Sequence, residues 1–335
     1  MNSEKDSLFV RTAAVAVIVL LTVLCMKLIS KPDTTSAAAS AETSAPAAET
    51  TSGSESPAAA SDDAWITAYK DYLKEQAVSL AQDSQSEYAY DEYLGPLFCL
   101  IYLDGDDVPE LVISEGAYHG ASAILAAYSG GKVETFSDLG TSGSFTYKEK
   151  QSVIVDRSTN WSSSATTVYR LENGKLTDVW AGTEVMDDED SSTFYVHDLE
   201  VSDAEYETQY STYVPNDLQY IDRANSTTPP LTAKNIELYF DALADRSSIR
   251  TVRENTRLTL NGTVSAFAED EVIGGYQSFD LAEPAVLQFS SDEFPSIVTT
   301  MTIPVFNAQN ATPTGNREVT GYVSKDDSGS VRLVP

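Results

Sequence analysis

Three carboxylates lie close together in one short segment of the chain and could bind a metal ion. Asp104, Asp106 and Glu110 stand at i, i+2 and i+6 within LIYLDGDDVPELVIS, residues 100–114. In a tight loop with this spacing, alternate side chains turn inward, and the Val108 carbonyl could add an oxygen. Calcium takes roughly six to eight oxygen ligands. The spacing therefore allows a weak calcium site, but the favoured interpretation is a strand-connecting turn whose acids face water.

This segment resembles the DxDGDG-type calcium loops that join two strands in integrin-like and related bacterial repeat proteins. Tyr102 occupies the first acidic position of that loop, and Asp107 occupies its second glycine position. The resemblance implies calcium as the bound ion and the same three carboxylates as its ligands. Because one acid of the usual loop is missing, the implied site is weak. The sequence predicts no other cofactor.

Residues for nucleophilic or hydrolytic catalysis do not form a recognisable set. His119 and Ser122 are close in sequence, but a Ser–His pair needs a third residue and an oxyanion hole. The G-x-S-x-G, HExxH, P-loop and GxGxxG motifs are absent from the sequence, which disfavours the enzymes that use them. Glycoside hydrolysis needs only two carboxylates, and 51 acidic residues leave that activity open without locating it.

Aromatic residues offer a second type of candidate site. Tyr88, Tyr90 and Tyr93 alternate with acids in SEYAYDEYLG. They could form a face that stacks on sugars, or a rim that packs over a sheet. The second arrangement is the expected one.

Composition restricts the partners of the protein. The chain has 21 basic and 51 acidic residues, for a net charge of −30. Such a chain repels phosphate backbones, so we expect no nucleic-acid partner. Two cysteines cannot form a disulfide framework, and two histidines leave little room for a histidine-rich metal site.

The first thirty residues predict a membrane anchor. The uncharged residues 12–26 extend to an apolar run over 12–29, which can span a bilayer if Lys27 reaches the interface. An uncleaved signal anchor is favoured because the nearest small residues suited to cleavage lie well downstream, from Ser36. A cleaved signal peptide and a lipoprotein signal at Cys25 are the alternatives.

Residues 31–63 predict a disordered linker between the anchor and the folded part. This Ser/Thr/Ala/Pro-rich segment has no aromatic residue and no aliphatic residue larger than alanine, so ordering it would be unfavourable. Stalks of this kind are typical between an anchor and an exported domain. We therefore expect a single-pass membrane protein whose C-terminal domains are extracytoplasmic, with a cytoplasmic linker as the alternative.

The rest of the chain predicts an α+β fold in two domains, residues 64–250 and 251–335. The first should contain a helix, an antiparallel β-meander and two closing helices. Helices are predicted to start near Trp65, at Ser202 and at Thr232. A buried strand is predicted over Pro96–Leu103, and hairpin turns are predicted at Gly130-Gly131 and Glu172-Asn173-Gly174.

Residues 251–335 alternate as short strands only, which suits a small β-barrel. This region resembles the OB-like β domains appended to bacterial surface proteins, through TLNGTV at 259–264 and REVTGYV at 317–323. OB-like barrels can bind saccharides or nucleic acid, but no face that is both aromatic and basic is evident here. A packing or spacer role is the expected one.

A broader resemblance covers residues 65–180. Their layout, with the acidic D-x-D-D-x-P-E-L turn and NGK hairpins, is similar to that of uncharacterised membrane-anchored extracytoplasmic proteins of Gram-positive bacteria. The resemblance implies export and brings no known activity. The favoured function is therefore a non-catalytic cell-envelope protein that binds a ligand, glycan or partner. The alternative is an exported hydrolase acting on wall polymer or peptide.

Overall fold

The structure is a computed structural model, and it describes residues 63–83, 95–117, 120–188, 191–221, 223, 227–253, 255–270, 274–326 and 329–335. The predicted membrane helix, residues 31–62 of the predicted linker, and the tyrosines 88, 90 and 93 lie outside these ranges. Each helix within them is too short or too polar to cross a bilayer.

The described part of the chain has an α+β fold that is mostly β, as the sequence predicts. Its helices are α1 (Ala64–Asp83), α2 (Asp203–Tyr213) and α3 (Ala233–Ala244). The side chain of Ser202 accepts a hydrogen bond from the Glu205 N–H at the start of α2. Thr232 caps α3 in the same way. Both caps satisfy N–H groups that have no partner within the helix, which fixes where each helix begins.

The first sheet is antiparallel, in the order β1-β2-β3-β4. Its strands are β1 (Leu97–Ile101), β2 (Glu110–Ser114), β3 (Ala123–Ser129) and β4 (Lys132–Leu139). In β1, Phe98 and Leu100 pack against α1 and α3, whereas Cys99 and Ile101 pack against the second sheet. The strand is continuously apolar because it is buried on both faces.

The second sheet is ordered β10-β9-β8-β7-β6-β5-β11. Its strands are β5 (Thr146–Lys148), β6 (Val153–Thr159), β7 (Ser163–Glu172), β8 (Lys175–Asp188), β9 (Ser191–Val196), β10 (Leu199–Val201) and β11 (Gln219–Tyr220). One face packs on the first sheet through Ile154 and Leu171. The other face packs under α2, where Trp180 contacts the ring of Tyr206. The first sheet is thus the middle layer of this region.

The C-terminal strands form a closed five-stranded barrel. Its elements are β12 (Arg250–Val252), β13 (Thr256–Val264), β14 (Ala268–Asp270), β15 (Gly274–Phe289), β16 (Ser296–Pro304), β17 (Gly315–Lys325) and β18 (Val331–Val334). The barrel strands follow the order β13-β15-β16-β18-β17 and close back onto β13. Strands β12 and β14 pair with the two ends of β15.

The barrel has its own core and also contacts the first region. Phe279, Leu287, Met301 and Val323 are among its fully buried side chains. Ile297 of β16 instead packs in the cluster formed by α1, α3 and the first sheet. The chain enters the barrel at β12, which follows α3 after a short 3₁₀ turn at Arg246–Ser248. This connection places α3 beside the barrel wall.

Candidate functional site

The loop between β1 and β2 carries the carboxylates that the sequence predicts as calcium ligands. Asp104 Oδ1 accepts a hydrogen bond of 3.0 Å from the Asp106 N–H. Asp106 Oδ1 accepts one of 2.8 Å from the Val108 N–H. These side chains therefore stabilise the turn that carries them, as aspartates commonly do.

Glu110, the first residue of β2, is only 4% exposed. Its Oε2 accepts a hydrogen bond of 2.8 Å from the Leu103 N–H. Burial raises the pKa of Glu110 to about 8; the Leu103 hydrogen bond opposes the rise, and the charges of Asp104 and Asp106 add to it. The three acids are therefore close enough to interact electrostatically.

The bonds within this loop decide what an ion would have to displace. Each of the three carboxylates accepts a backbone N–H bond. Within the described ranges, the structure arranges no group of three or more Asp, Glu, His or Cys side chains to hold a metal ion. Calcium binding would require these carboxylates to exchange N–H partners for the ion, so the calcium site stays a prediction.

The acidic loop lies where the first region meets the barrel. Tyr102, just before the loop, stacks on Phe294 of the β15–β16 turn, with ring centroids 5.2 Å apart. Lys150 Nζ lies 5.1 Å from the centroid of the Tyr102 ring. On the other side, burial and the charge of Glu110 raise the pKa of the Tyr69 hydroxyl far above its usual value. A change in the charge of this loop would therefore change the electrostatic environment of Tyr69 in α1.

The candidate Ser–His pair is only half described, because His119 lies outside the described ranges. Ser122 Oγ donates a hydrogen bond of 2.5 Å to Glu115 Oε2. The Glu115 N–H also donates to the Ser122 carbonyl, at 3.0 Å. The two residues thus join the ends of the β2–β3 loop, which is a structural role for Ser122.

A cleft of about 720 Å³ lies between α3 and the barrel wall. The sequence predicts no site at this position. Its lining comes from α3, the entry to β12, β13 and β15. The lining residues are Glu237, Leu238, Asp241, Ala242, Ser248, Arg250, Thr259–Asn261 and Leu281–Val286. A second hollow of about 550 Å³ continues from it across β13 and β17, sharing Asn261 and Ala282.

The cleft exists because the pairing between β15 and β13 ends and the two strands separate. The two strands pair only from Gly262↔Leu281 to Val264↔Phe279. A Cβ on Gly262 would lie 2.2 Å from the Asp280 carbonyl oxygen, so glycine is needed where the strands are closest. The register between β15 and β16 then shifts between Asp280 and Ala285. Ala285 and Val286 then pair with β16, and the whole segment 282–286 lines the cleft.

One sequence signal could have located this opening. Pro284 stands inside a strand that otherwise alternates, and proline within a sheet is typical of an edge or a bulge. The sequence shows the interruption at Pro284 but not what lies opposite it. The other wall comes from α3, whose position beside the barrel depends on its short connection to β12 and on its packing against α1 and the first sheet.

Ion pairs hold the acids on the α3 wall of the cleft. Lys70 Nζ of α1 pairs with Glu237 and, at 2.5 Å, with Asp241. Lys74 Nζ lies 2.6 Å from the second carboxylate oxygen of Glu237. Hydrogen bonds from Lys70 and then Lys74 lower the pKa of Glu237. Glu237 is therefore ionised near neutral pH.

These charges favour binding over acid–base catalysis in the cleft. A general acid needs a pKa raised towards the working pH, whereas the pKa of Glu237 is lowered. Glu110, whose pKa is raised to about 8, is buried in the first sheet and does not line the cleft. The cleft instead offers hydrogen-bonding groups on Thr259 and Asn261, with Arg250 and Glu283 of opposite charge.

Two aromatic side chains are almost fully exposed away from the cleft. Trp161 stands in the turn between β6 and β7, and Phe306 stands after β16. Asn160 Oδ1 orders the first turn by accepting bonds from the N–H groups of Ser162 and Ser163. Both aromatic residues are isolated and neither lines a described cavity.

The chain matches no protein-family model, no curated protein sequence and no solved structure. The resemblances seen in the sequence therefore stay expectations. The acidic loop and the cleft are the features of the described structure that bear on function.

Proposed function

We propose that the protein is a non-catalytic binding protein of the cell envelope, anchored in the membrane by residues 12–29 and held off it by the linker. Its ligand, glycan or protein partner binds in the cleft between α3 and the barrel. The cleft carries the proposal. Its volume of about 720 Å³ lies in the range of ligand sites, roughly 300–1,000 Å³, and its walls mix apolar and polar groups.

The barrel connectivity supports an OB-like assignment. In chain order its five strands are joined 1-2-3-5-4 and back to 1, and the third and fifth pair in parallel. OB-like barrels bind oligonucleotides or oligosaccharides over strands two and three. Here Tyr276, Ser278 and Asp280 of β15 face Pro304, Thr302 and Thr300 of β16. This paired stretch has hydroxyls and a carboxylate but no basic side chain, which disfavours a phosphate backbone as ligand.

The sequence of the anchor and linker supports extracytoplasmic exposure. Protease added to intact protoplasts should remove an epitope placed at the C-terminus. Full protection of that epitope would place the folded domains in the cytoplasm.

Binding in the cleft is tested with solubilised peptidoglycan fragments and full-length protein in lipid nanodiscs. Ala282→Trp should fill the cleft and abolish retention of the fragments. Ala266→Trp is the matched control, because Ala266 is also exposed on the barrel and does not line the cleft. Equal retention by both variants would contradict the proposal. New reducing ends or free amines released by the wild type would instead establish the alternative, an exported hydrolase.

A further inference from the structure

The edge of β13 that faces the cleft has a defined hydrogen-bonding direction. The Ser265 N–H donates to the Ser278 carbonyl at 2.9 Å. In an antiparallel pair, alternate residues direct both backbone groups to the same neighbour. Thr259 is six residues before Ser265, an even number, so it also directs its N–H and C=O to the β15 side. Pairing with β15 has already ended at Gly262, so these groups of Thr259 point into the cleft.

The contacts of β13 with β17 agree with this direction. Thr259 and Thr320 are opposite each other, and their hydroxyl oxygens are 2.7 Å apart. Side chains come closest at pairs whose backbone groups point away from each other. Thr259 therefore bonds to β17 through its side chain and leaves its backbone groups to the cleft.

The β15 wall differs from the β13 wall. Pro284 has no N–H group, so it cannot donate to a strand laid beside it. Leu281, Val286 and, from α3, Leu238 add apolar side chains that are only partly buried. An occupant would therefore pair with β13 along one edge and pack against apolar groups along the other.

The shape of the cavity fits an extended chain. The cleft and the second hollow meet at Asn261 and Ala282 and together follow β13 and cross to β17. Among the described residues, no aromatic side chain lines either cavity, although sugar sites commonly use an aromatic face. Unpaired backbone groups beside a sheet are the recognition element for an added peptide strand.

The charges indicate the sign of the occupant. The cleft is lined by Glu237, Asp241 and Glu283 against Arg250. Lys70 and Lys74 pair with the two acids of α3, whereas neither Glu283 nor Arg250 has an ion-pair partner among the described residues, so the net charge of the chain decides the sign. The whole chain carries −30 and attracts cations at long range.

We infer that the cleft binds an extended, lysine- or arginine-bearing peptide segment of another envelope protein, which pairs with the Thr259 edge of β13 and places a cation near Glu283. This inference rests on the proposed function, since it names the ligand class of the same cleft. Main-chain bonds to β13 would supply affinity, and the side chains that face the cleft would supply specificity.

The test uses full-length protein in nanodiscs and a pooled library of eight-residue peptides in which lysine alternates with random apolar residues. The library should be retained, and its best members should lose roughly tenfold or more in affinity when alternate amides are N-methylated, because hydrogen bonds to the strand are removed. Ala282→Trp should abolish retention and Ala266→Trp should preserve it. Thr259→Pro removes one edge N–H and also the side-chain bond to Thr320, so its matched control is Thr259→Val, which loses the same side-chain bond but keeps the N–H. Only Thr259→Pro should weaken binding.

Charge reversal tests the second half of the inference. Glu283→Lys should shift retention from the lysine library to a matched glutamate library. Glu269→Lys, at an exposed site on β14 outside the cleft, should keep the lysine preference and so exclude a general effect of net charge.

Each other outcome is decisive. Equal affinity for methylated and unmethylated peptides would overturn strand pairing, whether or not Thr259→Pro folds. Retention of peptidoglycan fragments but of no peptide, with loss in Ala282→Trp, would overturn the peptide ligand and leave the proposed function standing. If the wild type retains neither peptidoglycan fragments nor peptides, both the peptide ligand and the proposed function are overturned.

Discussion

The β1–β2 loop and the cleft beside α3 both contain several acids, but the two regions use them in different ways. In the loop, Asp104, Asp106 and Glu110 are bound to backbone N–H groups of the same segment. In the cleft, two acids are bound by lysines of another helix, and Glu283 lies on the facing wall. The loop is a local structure, and the cleft is produced by packing between distant segments.

This difference shows why a cluster of acids is a poor guide to a ligand site. Acids that are close in sequence can satisfy the backbone of their own turn, which uses the oxygens that an ion would need. In the cleft, by contrast, Glu283 has no ion-pair partner among the described residues and lines the open space. A concave surface with unpaired strand edges is therefore the stronger candidate in this protein.

The largest expected effect comes from separating the two regions. The fragment Ile249–Pro335 contains β12 and the whole barrel and should fold alone, because the barrel has its own buried core. We expect β-type circular dichroism and a cooperative melt at a lower temperature than for the full chain, since Ile297 loses its contacts with α3 and the first sheet. The fragment should not bind what the intact cleft binds. A disordered spectrum would mean that both regions depend on one core.

The next effect concerns the loop and its buried acid. The pKa of Glu110 is raised to about 8 from 4.5, so the folded state favours the neutral form. Stability from this group is present below pH 4.5 and is lost as pH rises towards 8, by up to about 4 kcal/mol. Glu110→Gln keeps an acceptor for the Leu103 N–H and has no charge, so it should be more stable than the wild type at pH 9.

Urea unfolding of the full-length chain at pH 5, 7 and 9 measures this difference. Glu172→Gln, at an exposed side chain on β7, is the control and should follow the wild type at each pH. A constant difference between Glu110→Gln and the wild type from pH 5 to pH 9 would show that Glu110 titrates normally. The loop would then be solvated, as expected for a strand-connecting turn whose acids face water.

The sequence predicts the local parts of this fold well. Ser202 and Thr232 cap their helices as expected, because capping depends on residues three positions apart. The predicted turns at Gly130-Gly131 and Asn173-Gly174 have positive φ at each of these residues, which the hairpins require. The α+β class and the barrel also follow from alternation and turn spacing.

Longer-range features are not evident from the sequence. The segments YQSFDL and AVLQF predict two strands, whereas the structure has the single strand β15, bent at Pro284. A proline interrupts alternation in the same way whether a strand ends or bulges. Glu110 also lies close enough to Tyr69 of α1 for its charge to raise the pKa of that tyrosine, a contact that its own segment does not reveal. The cleft requires both the bend in β15 and the position of α3.

A smaller effect is expected where α1 supports the cleft wall. Lys70→Met removes two ion pairs from a side chain that is 19% exposed, and should lower the free energy of unfolding by about 1 kcal/mol. Lys74→Met is the matched control, because Lys74 makes one pair and is 43% exposed. Its loss should be smaller. In 1 M salt the two variants should converge on the wild type, and a salt-independent loss would indicate packing of the lysine stem instead.

An effect of similar size tests the calcium prediction for the loop. With a millimolar dissociation constant, 5 mM calcium should stabilise the full-length chain by about 1 kcal/mol through mass action. Asp104→Asn combined with Asp106→Asn is the matched control, since each asparagine Oδ1 can still accept the turn hydrogen bond. Only the charge is lost, so this variant should not respond.

The response should also depend on pH, because an ion needs the ionised form of Glu110. Calcium should therefore raise the melting temperature more at pH 9 than at pH 6, on opposite sides of the pKa of about 8. An equal rise in the wild type and the double variant would reflect general screening of the net charge of −30. If neither protein responds at either pH, the carboxylates only stabilise their own turn. The loop would then differ from the cleft in having no ligand-binding role.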